Sequence, residues 1–482
     1  MYIWKVKKIV TIIILSIIVF ASCKKETYET SSGASLEFST DTLFFDTVFT
    51  NIGSQTKQFK IYNRNSGTIL INNIRLGMGS SSNYRLNING IEASSANNIE
   101  IAANDSMYIF VEVTVDPDNS STPFVVEDSV IFTFNNNSQD IDLRSWGQNA
   151  HYIDGRTMNA IIGDTTWTND KPYLIYNSML VDSLKTLTIN EGVQIYLHKN
   201  SNMYILGTMQ INGTKDNPVI IKGDRLDHAY DDVPGQWGRI VFIEGSKNNK
   251  IDYAEISGGI IGVQVGGNLD ANLADKPDLQ ITNTKIQHMN YAGLYTLGSK
   301  VIASNCVISD VGFYAVALLM GGDYEFYHCT IANYWNYANR TEPSVIISNN
   351  IINDGTMYVS DLTNAYFGNC IVYGDKENEL GLSNENGASF NYKFEYSIVR
   401  ANAEMDFSDN TYYDNVWKSK NPKFVSVSEY DFQLDTLSQA KDLGDIQIVN
   451  NYTYIPSIIN DLNQESRISD IAPDLGAYER IE

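Results

Sequence analysis

Short segments ending in a branched aliphatic recur through the second half of the chain: Tyr253-Ala-Glu-Ile256, Asn283-Thr-Lys-Ile286, Asn305-Cys-Val-Ile308, His328-Cys-Thr-Ile331, Asn349-Asn-Ile-Ile352, Asn369-Cys-Ile-Val372 and Tyr396-Ser-Ile-Val399. Their last residues stand 30, 22, 23, 21, 20 and 27 positions apart. A unit of that length without helical periodicity predicts a solenoid of strands, because one unit cannot bury its apolar face alone. Within each unit a small residue sits two positions before the aliphatic, on the same side of a strand. Stacked coils therefore carry one internal file of Ile and Val. Beside it runs a second file of Ala254, Thr284, Cys306, Cys329, Asn350, Cys370 and Ser397. The preceding Asn suits a sharp bend, since Asn tolerates left-handed backbone. Units this short cannot hold the four strands of a propeller blade, and no helices persist between them as a TIM barrel requires.

This pattern resembles the right-handed parallel β-helix, and the resemblance spans 151–482. Leu187-Thr-Ile-Asn-Glu-Gly-Val193, Ile205-Leu-Gly-Thr208 and Gly213-Thr-Lys-Asp-Asn-Pro-Val219 look like first coils of that family. Gly235-Gln-Trp-Gly238 is similar to the approach to its next strand. The stretch from Asp461 through Arg467 to Pro473-Asp-Leu-Gly-Ala-Tyr-Glu479 resembles the closing cap of such repeats, though no Gly lies between Asp461 and Arg467.

Residues 36–150 read differently. Alternation at Tyr84, Leu86 and Ile88, and at Val130, Phe132 and Phe134, predicts half-buried strands. Turn signals such as Asn89-Gly90 separate seven or eight strands, which points to an immunoglobulin-like sandwich without a disulfide. Phe45-Asp-Thr-Val48, the stretch 111–117 and Trp146-Gly-Gln148 resemble the small sandwich that precedes β-helices in Bacteroidetes lipoproteins. The expected fold class is all-β: a small sandwich, then a parallel β-helix.

At the front, Lys5, Lys7 and Lys8 precede an apolar run from Ile9 to Ala21, too short to span a membrane but suited to a signal peptide. Phe20-Ala-Ser-Cys23 resembles a lipobox. The resemblance implies a signal peptide over 1–22, lipidation at Cys23, a polar tether over 23–35, and anchorage in the outer membrane on its periplasmic or cell-surface face. Membrane attachment through Cys23 follows from the acyl chains. The net charge of −23 argues against nucleic acid, which needs cations to displace phosphate counterions. Polyanionic glycans are disfavoured too, leaving neutral glycans, cations and proteins as partners.

Cys306, Cys329 and Cys370 are expected to be buried fillers. Neighbouring coils lie slightly too far apart for an unstrained bridge, and the Asn350 coil would separate Cys329 from Cys370. A straight ladder converges on no metal. None of the five histidines has metal-ligand spacing, and His328 falls at a bend.

Catalytic signals are thin. The motif set of the galacturonan hydrolases of this fold is missing, with Asp231-Asp232 its one partial match. Lys222, Arg225, His228, Asp231, Asp232 and Arg239 could gather on one side of the solenoid, as a lyase or hydrolase needs, Ca²⁺ being required only under the lyase reading. A solvated loop of mixed charge explains them as well. A second candidate is Asn333-Tyr-Trp-Asn-Tyr337: as an outward loop, Tyr334, Trp335 and Tyr337 offer ring faces and the amides hydrogen bonds to a sugar, while a loop folded back onto the coil wall explains the same residues. The leading expectation is a surface lipoprotein, without catalysis or cofactor, that binds or presents an extracellular ligand, most naturally glycan. A lyase or hydrolase and a structural or adhesive stalk are the alternatives.

Overall fold

The computed structural model describes residues 27–118, 120–270, 275–450, 458–469 and 471–480. The segment expected to be a signal peptide and Cys23 lie outside them. The described chain falls into two compact units divided after Asn149.

The first unit is a sandwich of two five-stranded sheets over one core, which includes Phe45, Phe59, Phe132 and Phe134. Most of its strands alternate buried and exposed positions, as in Ser106–Val113. Thr42–Phe49 and Asn137–Gln148 run parallel, with a register slip between Arg144 and Trp146. Two strands were not read in the sequence, Ile91–Ala93 and Ser95–Ile101. The second, SANNIEI, has too few apolar residues to advertise itself. Within the polar tether expected over 23–35, residues 27–35 are tied to the sandwich. Glu29 N–H donates to the Thr68 carbonyl at 2.9 Å, Tyr28 Oη to Glu100 at 2.6 Å, and Ala34 is buried.

The second unit is a right-handed parallel β-helix. Each coil contributes a strand to three faces, as Asp278–Thr282, Lys285–Met289 and Ala292–Leu297 do. Strands of the first two faces merge in a 19-stranded sheet, and those of the third make a 9-stranded one. Like residues meet in columns. On the second face Ile195, Ile221, Ile256, Ile286, Ile308, Ile331, Val372 and Val399 are paired in register from coil to coil. The first face carries Ile211, Ile251, Ile281, Ala303, Phe326, Phe367 and Phe394. Both files are buried, and each full-sized member contributes about 1.5–3 kcal/mol of burial. Between these faces the chain bends through left-handed residues at one repeat position: Tyr253, Asn283, Asn305, His328, Asn369 and Tyr396, with φ from 45° to 53°.

Ile352 and Asn350 are not in those files. Ile331 pairs with Val372, and residues 350–359 form an antiparallel hairpin that stands off the solenoid with Ile352 64% exposed. The motif Asn349-Asn-Ile-Ile352 mimics a coil because a hairpin strand has the same period of two. Its insertion and the long Tyr334–Ser344 loop of the same coil together stretch the spacing from Ile331 to Val372 to 41 residues. Consequently Cys329 and Cys370 lie on adjacent coils, with Cys329 N–H 3.4 Å from Cys370 Sγ, and no coil intervenes. Cys306, Cys329 and Cys370 are all free and buried.

The closing segment is also corrected, from an end cap to a lateral strap. The described residues of 424–480 lie along the second face, packing Phe432 and Ala477 on Val307 and Ala332. They also bond the left-handed turns. Asn305 Nδ2 donates to the Asn460 carbonyl at 2.9 Å and Gly476 N–H to the Asn369 carbonyl at 2.8 Å. Gly476 has φ of +87°, and a Cβ there would meet Thr330 Oγ1. Arg467 is fully buried, holding Glu479 at 3.1 Å, Asn305 Oδ1 at 3.1 Å and the Gly476 carbonyl at 3.0 Å.

Candidate functional site

Two coils interrupt the solenoid between the second and third faces with long loops, one from Asp224 to Arg239 and one from Tyr334 to Ser344. The three coils between them turn that corner in a few residues. The Asp224–Arg239 loop scatters its charged residues. Lys222 Nζ lies 3.6 Å and His228 Nδ1 2.6 Å from Asp231. Arg225 pairs with Asp227 at 3.1 Å and stacks on Tyr230, while Arg239 donates to Gln264 at 2.8 Å on the third face. Thus Lys222, His228 and Asp231 converge, Arg225 and Arg239 are engaged elsewhere, and Asp232 turns toward a different histidine. Beside the first group His198 Nδ1 lies 2.7 Å from Asp224, its ring stacked on Tyr176, whose hydroxyl donates to the same carboxylate at 3.1 Å. Burial, then Asp224, pushes the Tyr176 phenol up.

That different histidine is His288. Its Nδ1 lies 2.6 Å from Asp310 Oδ2 and its Nε2 3.5 Å from Asp232 Oδ1. The His288 and Asp310 side chains are 7% and 1% exposed, on adjacent coils, one residue past paired Gln287 and Ser309. Both hold left-handed backbone, φ +56° and +52°, where the coil before has Gly258 at +76°. A side chain there costs about 1–2 kcal/mol, and such strain gathers at functional sites. Asp310 Oδ1 is buried and, among the described residues, accepts no hydrogen bond. Tyr430 from the strap stands edge-on to His288 at 4.4 Å, and Tyr337 Oη donates to the Asp232 carbonyl at 2.8 Å. The Tyr337 loop thereby arches back across the three short corners. Burial and then Asp310 raise the Tyr430 phenol to about 12. Among the described residues no group of three or more His, Cys, Asp or Glu is placed to hold a metal ion.

The outward aromatic loop expected at 333–337 is largely turned in. Tyr334 packs against Phe424 and Phe432, and Trp335 is buried; Tyr337 alone is open, at 46%. The cause is Arg340, whose buried guanidinium grips Glu379 at 2.6 and 2.8 Å and draws the loop onto the wall. Open rings lie instead on the third face. Phe313 is 42% exposed and sits 5.1 Å from Tyr291, with Tyr295 6.1 Å from Tyr291 and Tyr314 6.4 Å from Phe313. Gln264, held by Arg239, pairs in register with Tyr295. His288 and Asp310 each precede these rings by three residues.

Sequence reasoning missed both histidine–carboxylate pairs. Their members lie 26 and 22 residues apart, one coil in each case, so no local motif joins them. The signal was present only as equivalent repeat positions, two past Ile286 and two past Ile308.

A family model described as right handed beta helix region matches residues 239–411, and one described as pectate-lyase like beta helix domain matches 158–277. Protein bark beetle of Drosophila melanogaster is 32% identical over 106 residues, 21% of this chain but 3% of that protein. Among solved structures an ASH/PapD-like domain of human CEP192 is similar over 27% of this chain and 94% of that one, at 9% identity and TM-score 0.18. A family 123 glycoside hydrolase from Clostridium perfringens is similar over 23% of this chain and 25% of its own, at 14% identity and TM-score 0.17. Similarities so slight carry no argument. The two family matches and the three-faced coil together identify right-handed β-helix domains in this chain.

Proposed function

We propose that this chain is a glycan-binding surface lipoprotein whose third β-helix face receives the sugar chain, with no catalysis of its own. One observation carries the reading: an exposed Phe313 and the half-buried rings of Tyr291, Tyr295 and Tyr314 form an aromatic patch at the third face, with Gln264 and Arg239 beside it. Ring faces stack on sugar C–H faces while the amide and guanidinium answer hydroxyls. Tyr295 and Tyr314 lie in strands, and Tyr291 and Phe313 in the tight bends directly before them, so little ordering opposes binding. Cys23 would anchor the protein to the outer membrane, and the sandwich, immunoglobulin-like in this reading, would hold the solenoid away from it.

The test is a panel of neutral polysaccharides titrated into the protein and into Phe313→Ala and Tyr291→Ala. Loss of one stacking ring should weaken binding about tenfold. An empty panel, or unchanged affinity in both variants, defeats the reading. A second reading, lyase or hydrolase action, is favoured by His198 on Asp224 beside Lys222. Unsaturated uronates released from an acidic polysaccharide, seen by their ultraviolet absorbance, would promote it, with Ca²⁺ as its expected requirement.

A further inference from the structure

Resting on the glycan reading, we propose that the corner formed by Asp232, Asp310, Tyr337 and Tyr430 binds a protonated primary amine, so that the preferred glycan carries free amino sugars. The site has surplus negative charge. Asp232 and Asp310 flank a single imidazole, and among the described residues neither carboxylate pairs with a lysine or arginine. Of the nearby cations, Lys222 is paired with Asp231 and Arg225 with Asp227, while Arg239 points away onto the neutral Gln264 of the third face.

One oxygen of Asp310 is bound by His288, while Oδ1 is buried without a donor. A buried acceptor left unpaired is costly, and its persistence in a folded protein calls for an explanation. An ammonium supplies what is missing, since it has three donors, no acceptor and a positive charge. Asp232, 57% exposed, is the entry carboxylate, and the ring of Tyr337 beside it can face a cation. Asp310 is reached when the loop carrying Tyr337 lifts and the Tyr337–Asp232 bond opens. A divalent cation fits less well, because the described side chains supply too few converging ligands. A sugar held on Tyr291 and Phe313 would place neighbouring residues of its chain over this corner.

The experiment compares oligomers of glucosamine and of N-acetylglucosamine, equal in length, by calorimetry with the full chain at mildly acidic pH. The amine form is expected to bind at least about tenfold more tightly, as a charge-assisted contact should. Asp232→Asn should abolish that preference while the acetylated form binds as before, and Phe313→Ala should weaken both forms alike. Asp232 is open, so its variant is expected to fold; Asp310→Asn, checked for folding by circular dichroism, provides the buried counterpart. Equal affinities, or a preference intact in both Asp variants, overturn the amine site alone. Binding that needs added Ca²⁺ rather than the amine overturns it in favour of a metal. If neither oligomer nor any neutral glycan binds, the glycan reading falls with it.

Discussion

His328 shows how much one residue can be asked to do in a repeat. It stands at the left-handed bend where its neighbours have Asn, fully buried, with Asn369 Nδ2 donating to its Nε2 at 2.9 Å. Burial, then the Arg467 charge, holds its pKa well below the ordinary 6.5. The unfolded chain therefore binds a proton that the folded chain refuses. Stability is complete above about pH 6.5 and is lost as the pH falls below it, by up to about 1.4 kcal/mol per pH unit. Urea midpoints measured from neutral pH to pH 5 should fall accordingly, and His328→Asn should flatten the slope. A wild-type profile already flat in that range would refute the assignment. The bend itself was legible from Asn283, Asn305 and Asn369, since the residue type announces the backbone. The strap that covers His328 was not, because its partners are 76 to 211 residues distant.

Among the elements, the interior files decide what the solenoid tolerates. Phe326, Phe367 and Phe394 stack nearly parallel, 4.6 and 4.5 Å between centroids, on three successive coils. Phe367 touches a ring on each side. Phe367→Ala should cost about 3–5 kcal/mol, because stacked coils cannot close on the gap. A loss below 1 kcal/mol in chemical denaturation would mean that the column repacks. The cysteine file behaves as small apolar filling. Burial pushes Cys306 and Cys370 up; Cys329, against the same burial, is lowered by their hydrogen bonds but is sealed from solvent like them, so a thiol reagent should find none of the three in the native protein and all three after unfolding. Fast labelling without denaturant would show the coils to be open. These files were readable because period-two alternation repeats in register. Ile352 was misread since a hairpin and a coil share that alternation, and only the partner strand distinguishes them. For Tyr334 and Trp335 the sequence left an outward and a folded-back loop both open, because the residue that turns the loop inward, Arg340, acts through Glu379, a full coil further on.

At the scale of the whole molecule, the repeat fixed the architecture of the second unit before any coordinate, whereas function depends on which outward positions coincide after stacking. His198 with Asp224, and His288 with Asp310, are invisible until the coil length at each point is known, and insertions at 224–239 and 350–359 change that length. The strap joins the same coils by another route. Arg467→Ala would strand Glu479 in a buried pocket and should cost about 3–5 kcal/mol. Limited proteolysis of that variant should cut within 424–480 first and leave the coils whole. Cleavage spread evenly along the chain would contradict a separable strap.

A pile of repeats joined only to their neighbours frays from its ends like a loosened stack of rings. Bonds from the strap to Thr330 and to the Tyr253, Asn305 and Asn369 turns tie coils as far apart as those of Tyr253 and Asn369 to one segment. Those turns must exist before the lacing can seat, so it is a late event in folding. Contacts made that late act mainly on the rate of coming apart. The protein should owe its endurance, more than its equilibrium stability, to the stretch that adds no coil at all.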